Sequence, residues 1–201
     1  MASFDPARDG FGFRNPVGEV PRRTGPKMLF RPLDSFLYGN GLCFGMAAAA
    51  LHSFEAGLAR TPVHDLPPTP ELLEFLRGYH ARQLRPRVVL AAVLDWIASG
   101  GGKAGGLLAR IRLPGDGDPH ILNFGPAANR RFFRCLHRAH AVVPHRVDRA
   151  GGEVRLYVYD PNHPGDRGRF VSFRDGGFSY AGFRSGEGWG ITPLPLSAVT
   201  G

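Results

Sequence analysis

The apolar positions of the chain change their period once, and the change separates a helical part from a stranded part. Cys43, Met46, Ala47, Ala50, Leu51, Phe54 and Leu58 recur at three- and four-residue spacing, the period of a helix face. The preceding Tyr38-Gly39-Asn40-Gly41-Leu42 is turn-forming. This predicts a helix that begins at or just before Cys43, packs on one face and closes near Gly57. Pro67-Pro68-Thr69-Pro70 leads into a second helix, with Thr69 as its cap, Pro70 at the first helical position and Leu72, Leu73, Leu76 and Tyr79 as its apolar stripe. A third, from about Val88 to Ala98, is apolar nearly all round through Val89, Leu90, Val93, Leu94, Trp96 and Ile97, which predicts a buried helix.

Beyond the Gly-rich break Gly100 to Gly106 the pattern is that of strands: Leu107 to Leu113, His140 to Val147, Val154 to Tyr159 and Phe170 to Phe173. Asn123 to Leu136 fits neither period, and a short helix over Arg131 to Leu136 is one reading of it. Residues 1 to 36 are rich in Gly, Pro, Arg and Phe without a sustained period, so they read as an irregular arm that wraps one domain formed by residues 37 to 201. Helices first and strands afterwards predict an α+β fold with an antiparallel sheet.

Composition narrows the function classes. A chain of 201 residues, 43% hydrophobic, is enough for one sizeable core, and its 28 Gly and 18 Pro imply many turns and long loops. The formal charge of +8 attracts anions. The arginines are nevertheless dispersed, in Arg22-Arg23, Arg85 to Arg87, Arg130-Arg131 and Arg134, and no zinc-finger spacing or RNA-recognition signature accompanies them. A basic nucleic-acid-binding protein therefore stays as an alternative resting on charge alone, and nucleic acid is not the expected partner. Met46 to Leu51 and Val88 to Ile97 fall short of the about 20 apolar residues that cross a bilayer, so no membrane span is expected. Met1 to Met28 lacks a charged start followed by an apolar core, which reads as cytoplasmic. Two cysteines, Cys43 and Cys135, are too few for a disulfide framework, and a free reactive thiol is as natural a reading as a bridge.

A thiol becomes a useful nucleophile as thiolate, which a helix N-terminus and a nearby imidazolium both favour. Cys43 has the first by position, and backbone N–H groups at such a helix start can hold an oxyanion. A small buried cysteine in an Ala-rich core helix is the competing reading. Asp148-Arg149-Ala150-Gly151-Gly152 is a turn between two β-rich runs. Pairing them as a hairpin centred near Ala150 and Gly151 sets His140 across from about Pro161, with Asp160 or Asn162 beside it. A carboxylate or amide there would orient the imidazole toward the thiol, as the third member of a triad does. Asp160-Pro161-Asn162-His163-Pro164-Gly165 is also simply a good turn sequence. His120, His137, His145 and His163 with Cys135 lack the spacing of zinc ligands, so no metal and no cofactor is expected. Gly100-Gly101-Gly102-Lys103-Ala104 lacks the spacing of a phosphate loop. Trp189 either covers the His–Asp pair or closes the C-terminal core, with the second preferred.

These residues resemble the papain-like cysteine peptidase clan. Gly39-Asn40-Gly41-Leu42-Cys43-Phe44-Gly45-Met46 is similar to the glycine-flanked cysteine that opens its central helix. His140-Ala141-Val142-Val143 is similar to its His-Ala-Val strand, and Tyr157 to Asn162 to the strand end carrying its third member. The resemblance covers roughly Tyr38 to Phe173. It implies N-terminal helices, the central one starting at the cysteine, packed on a C-terminal antiparallel sheet. It further implies a thiol hydrolase or acyl transferase acting on a peptide or amide bond of a peptide or protein substrate. Cys43 would be the nucleophile, His140 the base and acid, and Asp160 the orienting residue, with Asn162 as the alternative orienting residue. One position departs: where the clan carries a Gln about six residues before the nucleophile this chain has Leu37, and Asn40 is the nearest amide for the oxyanion. That departure motivates the other alternative, a papain-like binding module without turnover.

Overall fold

A computed structural model describes residues 3–17, 41–58, 62–98, 106–126, 139–185 and 187–201. Helix α1, Cys43–Glu55, starts at the cysteine, and Gly57 follows it at φ 59°, the left-handed position that favours glycine after a helix. Its burial differs from the one-faced packing expected, since every residue from Cys43 to Leu51 is buried. Four consecutive alanines, Ala47 to Ala50, keep the helix thin enough for neighbours to close on all sides. Gly45 is the point of closest approach, where a Cβ would lie 2.2 Å from the carbonyl oxygen of Leu76.

Leu76 belongs to α2, Pro70–Ala81, which begins as the sequence implies: Pro70 is its first residue and Thr69 Oγ1 accepts from the Leu72 N–H at 3.3 Å. Helix α3, Pro86–Ala98, corrects the expectation of a buried helix. Val88 is buried, but Val89, Leu90, Val93, Leu94 and Ile97 are 46 to 63% exposed. It rests on the rest of the fold by one side, and no described element covers the other.

The strand expected over Leu107 to Leu113 is also corrected. Residues Leu107–Arg110 form one helical turn, α4, closed by the Ile111 N–H on the Leu107 carbonyl at 3.0 Å. A short apolar run fits a strand or a buried helical turn equally well, and here Leu107 is buried and Arg110 pairs with Asp95 of α3.

The sheet has seven antiparallel strands: β1 His120–Pro126, β2 His140–Ala150, β3 Glu153–Tyr159, β4 Phe170–Arg174, β5 Gly177–Tyr180, β6 Phe183–Arg184 and β7 Trp189–Pro195. Their order is β6-β5-β4-β3-β2-β1-β7. A bridge from Ser185 to Trp189 draws the two ends of the sheet toward each other. The last element is a short helix, α5, Leu196–Thr200. The α+β class and the order of helices before strands are as expected. Strands β1, β5, β6 and β7 and helix α5 had no counterpart in the pattern, and residues 127–138, with the suggested helix over Arg131 to Leu136, lie outside the described residues.

Three two-residue hairpins fix the register of β2 with β3, of β4 with β5 and of β5 with β6, while residues 160–169 connect β3 to β4. Their central residues, Gly151-Gly152, Asp175-Gly176 and Ala181-Gly182, all have positive φ, as a type I′ turn requires. The β2–β3 turn lies one residue later than expected, at Gly151-Gly152, with Ala150 opposite Glu153. A bulge between Pro144 and Arg146 takes back one residue, so Val143 faces Tyr159. Both faces of β2 are covered. Ala141 and Val143 pack in the cluster that contains α1, whereas Val142 lies with Leu156, Val158 and Phe124 in a second cluster on the other side. Residues 3–17 pack on the first cluster through Phe4 and Phe11, each 3% exposed. No described helix is long and apolar enough to cross a membrane.

Candidate active site

The first residue of α1 and the first residue of β2 meet at one end of the molecule. Cys43 is there because the turn before it changes direction at Gly41, whose φ is 90°. His140 is there because β2 lies against α1, and Asp160 because β3 ends at Tyr159, immediately before it. All three are buried, His140 at 6% and Asp160 at 1% exposure, with Cys43 at 7% facing a cleft of about 350 Å³. Asn15, Asn162, His163 and Phe183 line the same cleft.

His140 Nε2 lies 2.8 Å from Asp160 Oδ1, and the imidazole is close enough to the Cys43 thiol for the two to interact electrostatically. With Nε2 committed to the carboxylate, Nδ1 is the ring nitrogen left for the thiol. Asp160 is held from three sides: Oδ1 accepts from His140 and from the Asn162 N–H at 2.8 Å, and Oδ2 accepts from the Tyr180 hydroxyl. A buried carboxylate held by three hydrogen bonds through both of its oxygens cannot swing freely, so it fixes the ring plane of its histidine.

The electrostatics follow from that geometry. Burial by itself would lower the His140 imidazole, but its hydrogen bond to Asp160 and its interactions with the Cys43 and Asp160 charges outweigh this and push it up to about 10. Burial would raise the Asp160 carboxyl, and the hydrogen bond and charge of His140, helped by Tyr180 and the Asn162 N–H, instead take it down to about 2. An imidazolium beside an ionised carboxylate is therefore the favoured state of the pair at neutral pH. At the start of α1, the Leu42 N–H is taken by Asn15 Oδ1 at 2.6 Å and the Gly45 N–H by His80 Nδ1 at 3.4 Å. The N–H groups of Cys43 and Phe44 have no partner among the described residues.

The structure brings Cys43, His140 and Asp160 together. Asn162 lies next to them but supports Asp160 through its main chain and does not replace it on the imidazole. Asn40 lies outside the described residues, as do Leu37, Lys103, Cys135 and His137. His120, His145 and His163 are separated: His120 accepts from the Arg112 N–H, His145 occupies the β2 bulge against Phe4, and His163 contacts Arg169. Trp189 closes the core, packed edge-on against Phe183 at 4.8 Å, while Phe183 is the ring that stacks over His140, with 8° between their planes.

Three residues of the site had no place in the sequence reading: Asn15, Tyr180 and Phe183. Tyr180 and Phe183 were detectable in principle. Asp175-Gly176 is a strong hairpin signal, and the alternation Phe178, Tyr180 after it marks a strand with those side chains inward. Nothing local distinguishes Asn15. No family model matches the chain, and comparison with curated proteins and with solved structures gives no match.

Proposed function

We propose that this chain is a thiol hydrolase or acyl transferase of papain-like architecture acting on a peptide or amide bond. The observation that carries the reading is the His140–Asp160 hydrogen bond with the Cys43 thiol beside the imidazole at the edge of a cleft, and the nucleophile candidate at a helix N-terminus. Imidazolium and helix dipole both favour negative charge on the Cys43 sulfur. The sulfur then attacks the carbonyl carbon, and the carbonyl oxygen takes up the electron pair facing the Cys43 N–H. His140 gives its Nδ1 proton to the leaving amine as the C–N bond breaks, which leaves a thioester on Cys43. In the second half His140 removes a proton from water, or from an acceptor amine, as that nucleophile displaces the sulfur. Asp160 keeps the ring aimed throughout and stabilises its charged form.

The alternative of a binding module without turnover called for Cys43 and His140 to point apart with no cleft between them, and their shared lining of one cleft favours the hydrolase reading over it. Covalent labelling by a thiol-directed epoxide tests the proposal. Wild type should label at Cys43, Cys43→Ala should lose that label, and His140→Ala should slow labelling near neutral pH by about a hundredfold, the scale on which a positioned acid–base group contributes. Labelling that is unchanged in Cys43→Ala removes this residue from the chemistry.

A further inference from the structure

Asn15 is the one buried polar side chain lining the cleft outside the triad among the described residues, at 6% exposure. It bonds to both walls of the site. Its main-chain N–H donates to the Pro161 carbonyl at 2.8 Å, its Oδ1 accepts from the Leu42 N–H at 2.6 Å, and its Nδ2 donates to Asn162 Oδ1 at 3.1 Å. The direction of the amide is forced. A backbone N–H can only donate, so the atom facing Leu42 is oxygen, the atom facing Asn162 is nitrogen, and the acceptor on Asn162 is its oxygen.

Leu42 is bonded to the nucleophile, and Asn162 donates its own N–H to Asp160. A chain of short bonds therefore runs from the start of α1 through Asn15 to the turn that holds the carboxylate. Cys43 and His140 belong to different layers, α1 and the sheet, and nothing in their local sequence sets the distance between them. Gly41 is fitted to this arrangement: any Cβ there would lie 2.3 Å from Asn15 Oδ1. Other residue types break the bridge. Leucine has the size but no polar atoms, and aspartate would turn an acceptor toward the Asn162 oxygen and bring a negative charge beside the sulfur.

We propose that Asn15 is a positioning residue that clamps the turn before Cys43 to the turn after Asp160, so that a residue of the N-terminal arm sets the contact between Cys43 and His140. This rests on the active-site reading given above. Its consequence is that the pH profile of thiol reactivity depends on a side chain that acts through the Leu42 N–H and the Asn162 amide.

The test is the rate of Cys43 alkylation by iodoacetamide on the full chain, resolved to the Cys43 peptide by mass spectrometry, between pH 5 and 10. The other charged or titratable groups of the cleft wall, Arg14 and His163, are kept in every variant. In wild type the profile should change when His140 is replaced by alanine, because the thiol reacts as a partner of the imidazole. Asn15→Ala should lose about tenfold or more at pH 6 while keeping its rate at pH 10 within about twofold, because only the paired thiol is affected. A purely structural role would lower the melting temperature without moving this profile. Asn162→Ala, which removes the Nδ2 acceptor alone, should shift the profile in the same direction, and the double variant should lose no more than Asn15→Ala, the signature of two residues acting through one bond. A folded Asn15→Ala protein with the wild-type profile overturns the clamp, and if that variant does not fold, an unshifted Asn162→Ala overturns it instead. A wild type that reacts as an ordinary thiol, unaltered by His140→Ala, overturns the active-site reading and the clamp with it, and is distinguished by appearing before Asn15 is touched.

Discussion

His140 and Asp160 titrate away from their ordinary ranges in opposite directions, and each displacement is also a statement about stability. Asp160 is taken down from 3.8 to about 2, so its contribution is present above about pH 4 and is lost as pH falls toward 2. His140 is raised from 6.5 to about 10, so its contribution is complete below pH 6.5 and is lost as pH rises toward 10. The pair thus supports the fold most between about pH 4 and 6.5. We expect the unfolding free energy from urea titration to fall on both sides of that window, by on the order of 2 kcal/mol on the acid side for Asp160. His140→Ala should flatten the alkaline limb and Asp160→Asn the acid limb; a His140→Ala protein that retains the wild-type alkaline limb contradicts this account. At this scale the sequence was informative where residues are close along the chain. The register of one hairpin brought His140 near Asp160 because the offset in its turn and the bulge at His145 nearly cancel. Asn15 was not legible, because its partners are 27 and 147 residues away.

Among the elements, two glycines in neighbouring helices have opposite roles. Gly45 of α1 sits 2.2 Å, measured from a built Cβ, from the Leu76 carbonyl of α2, whereas Gly78 of α2 has nothing within 4 Å of such a carbon. Gly45→Ala should force the helices apart and cost about 1–3 kcal/mol, the range of overpacked cores. Gly78→Ala should stabilise by about 0.5–1 kcal/mol through helix propensity. Thermal or urea denaturation of the two variants reads both signs, and a neutral Gly45→Ala would mean that the helices can separate freely. Sequence periodicity located α1 and α2 within a residue or two, because caps and stripes are local. It misjudged α3, whose apolar residues do not by themselves reveal whether anything covers them, and it took α4 for a strand because four or five apolar residues carry no decisive period.

For the whole molecule, the N-terminal arm is part of the core as well as of the site. Phe4 packs edge-on against Phe54 of α1 at 5.4 Å and lies 6.1 Å from Tyr159. The Phe11 N–H donates to the Tyr159 hydroxyl at 3.0 Å, and Arg167 pairs with Asp5 at 2.6 Å. Phe4→Ala and Phe11→Ala should each destabilise by about 3–5 kcal/mol, the cost of emptying a buried phenylalanine site. Denaturation midpoints check this, and values below about 1 kcal/mol would show that the arm rests on the surface without contributing to the core. The surface ion pair alone would not give such values, since exposed pairs contribute at most about 1 kcal/mol.

What the sequence determined by itself was local: a helix opening at Cys43, a capped helix at Pro70, a hairpin bringing His140 near Asp160 and Asn162, and the α+β class that follows from helices preceding strands. These rest on caps, turns and periods that act over a few residues. Only the tertiary structure decided that Cys43 meets His140, that Tyr180 holds the other oxygen of Asp160, that Phe183 and not Trp189 covers the imidazole, and that Asn15 joins the two walls. Each of those contacts is made between elements, and their positions depend on how two hydrophobic faces of one sheet are filled, a property of the packed chain and not of any segment in it.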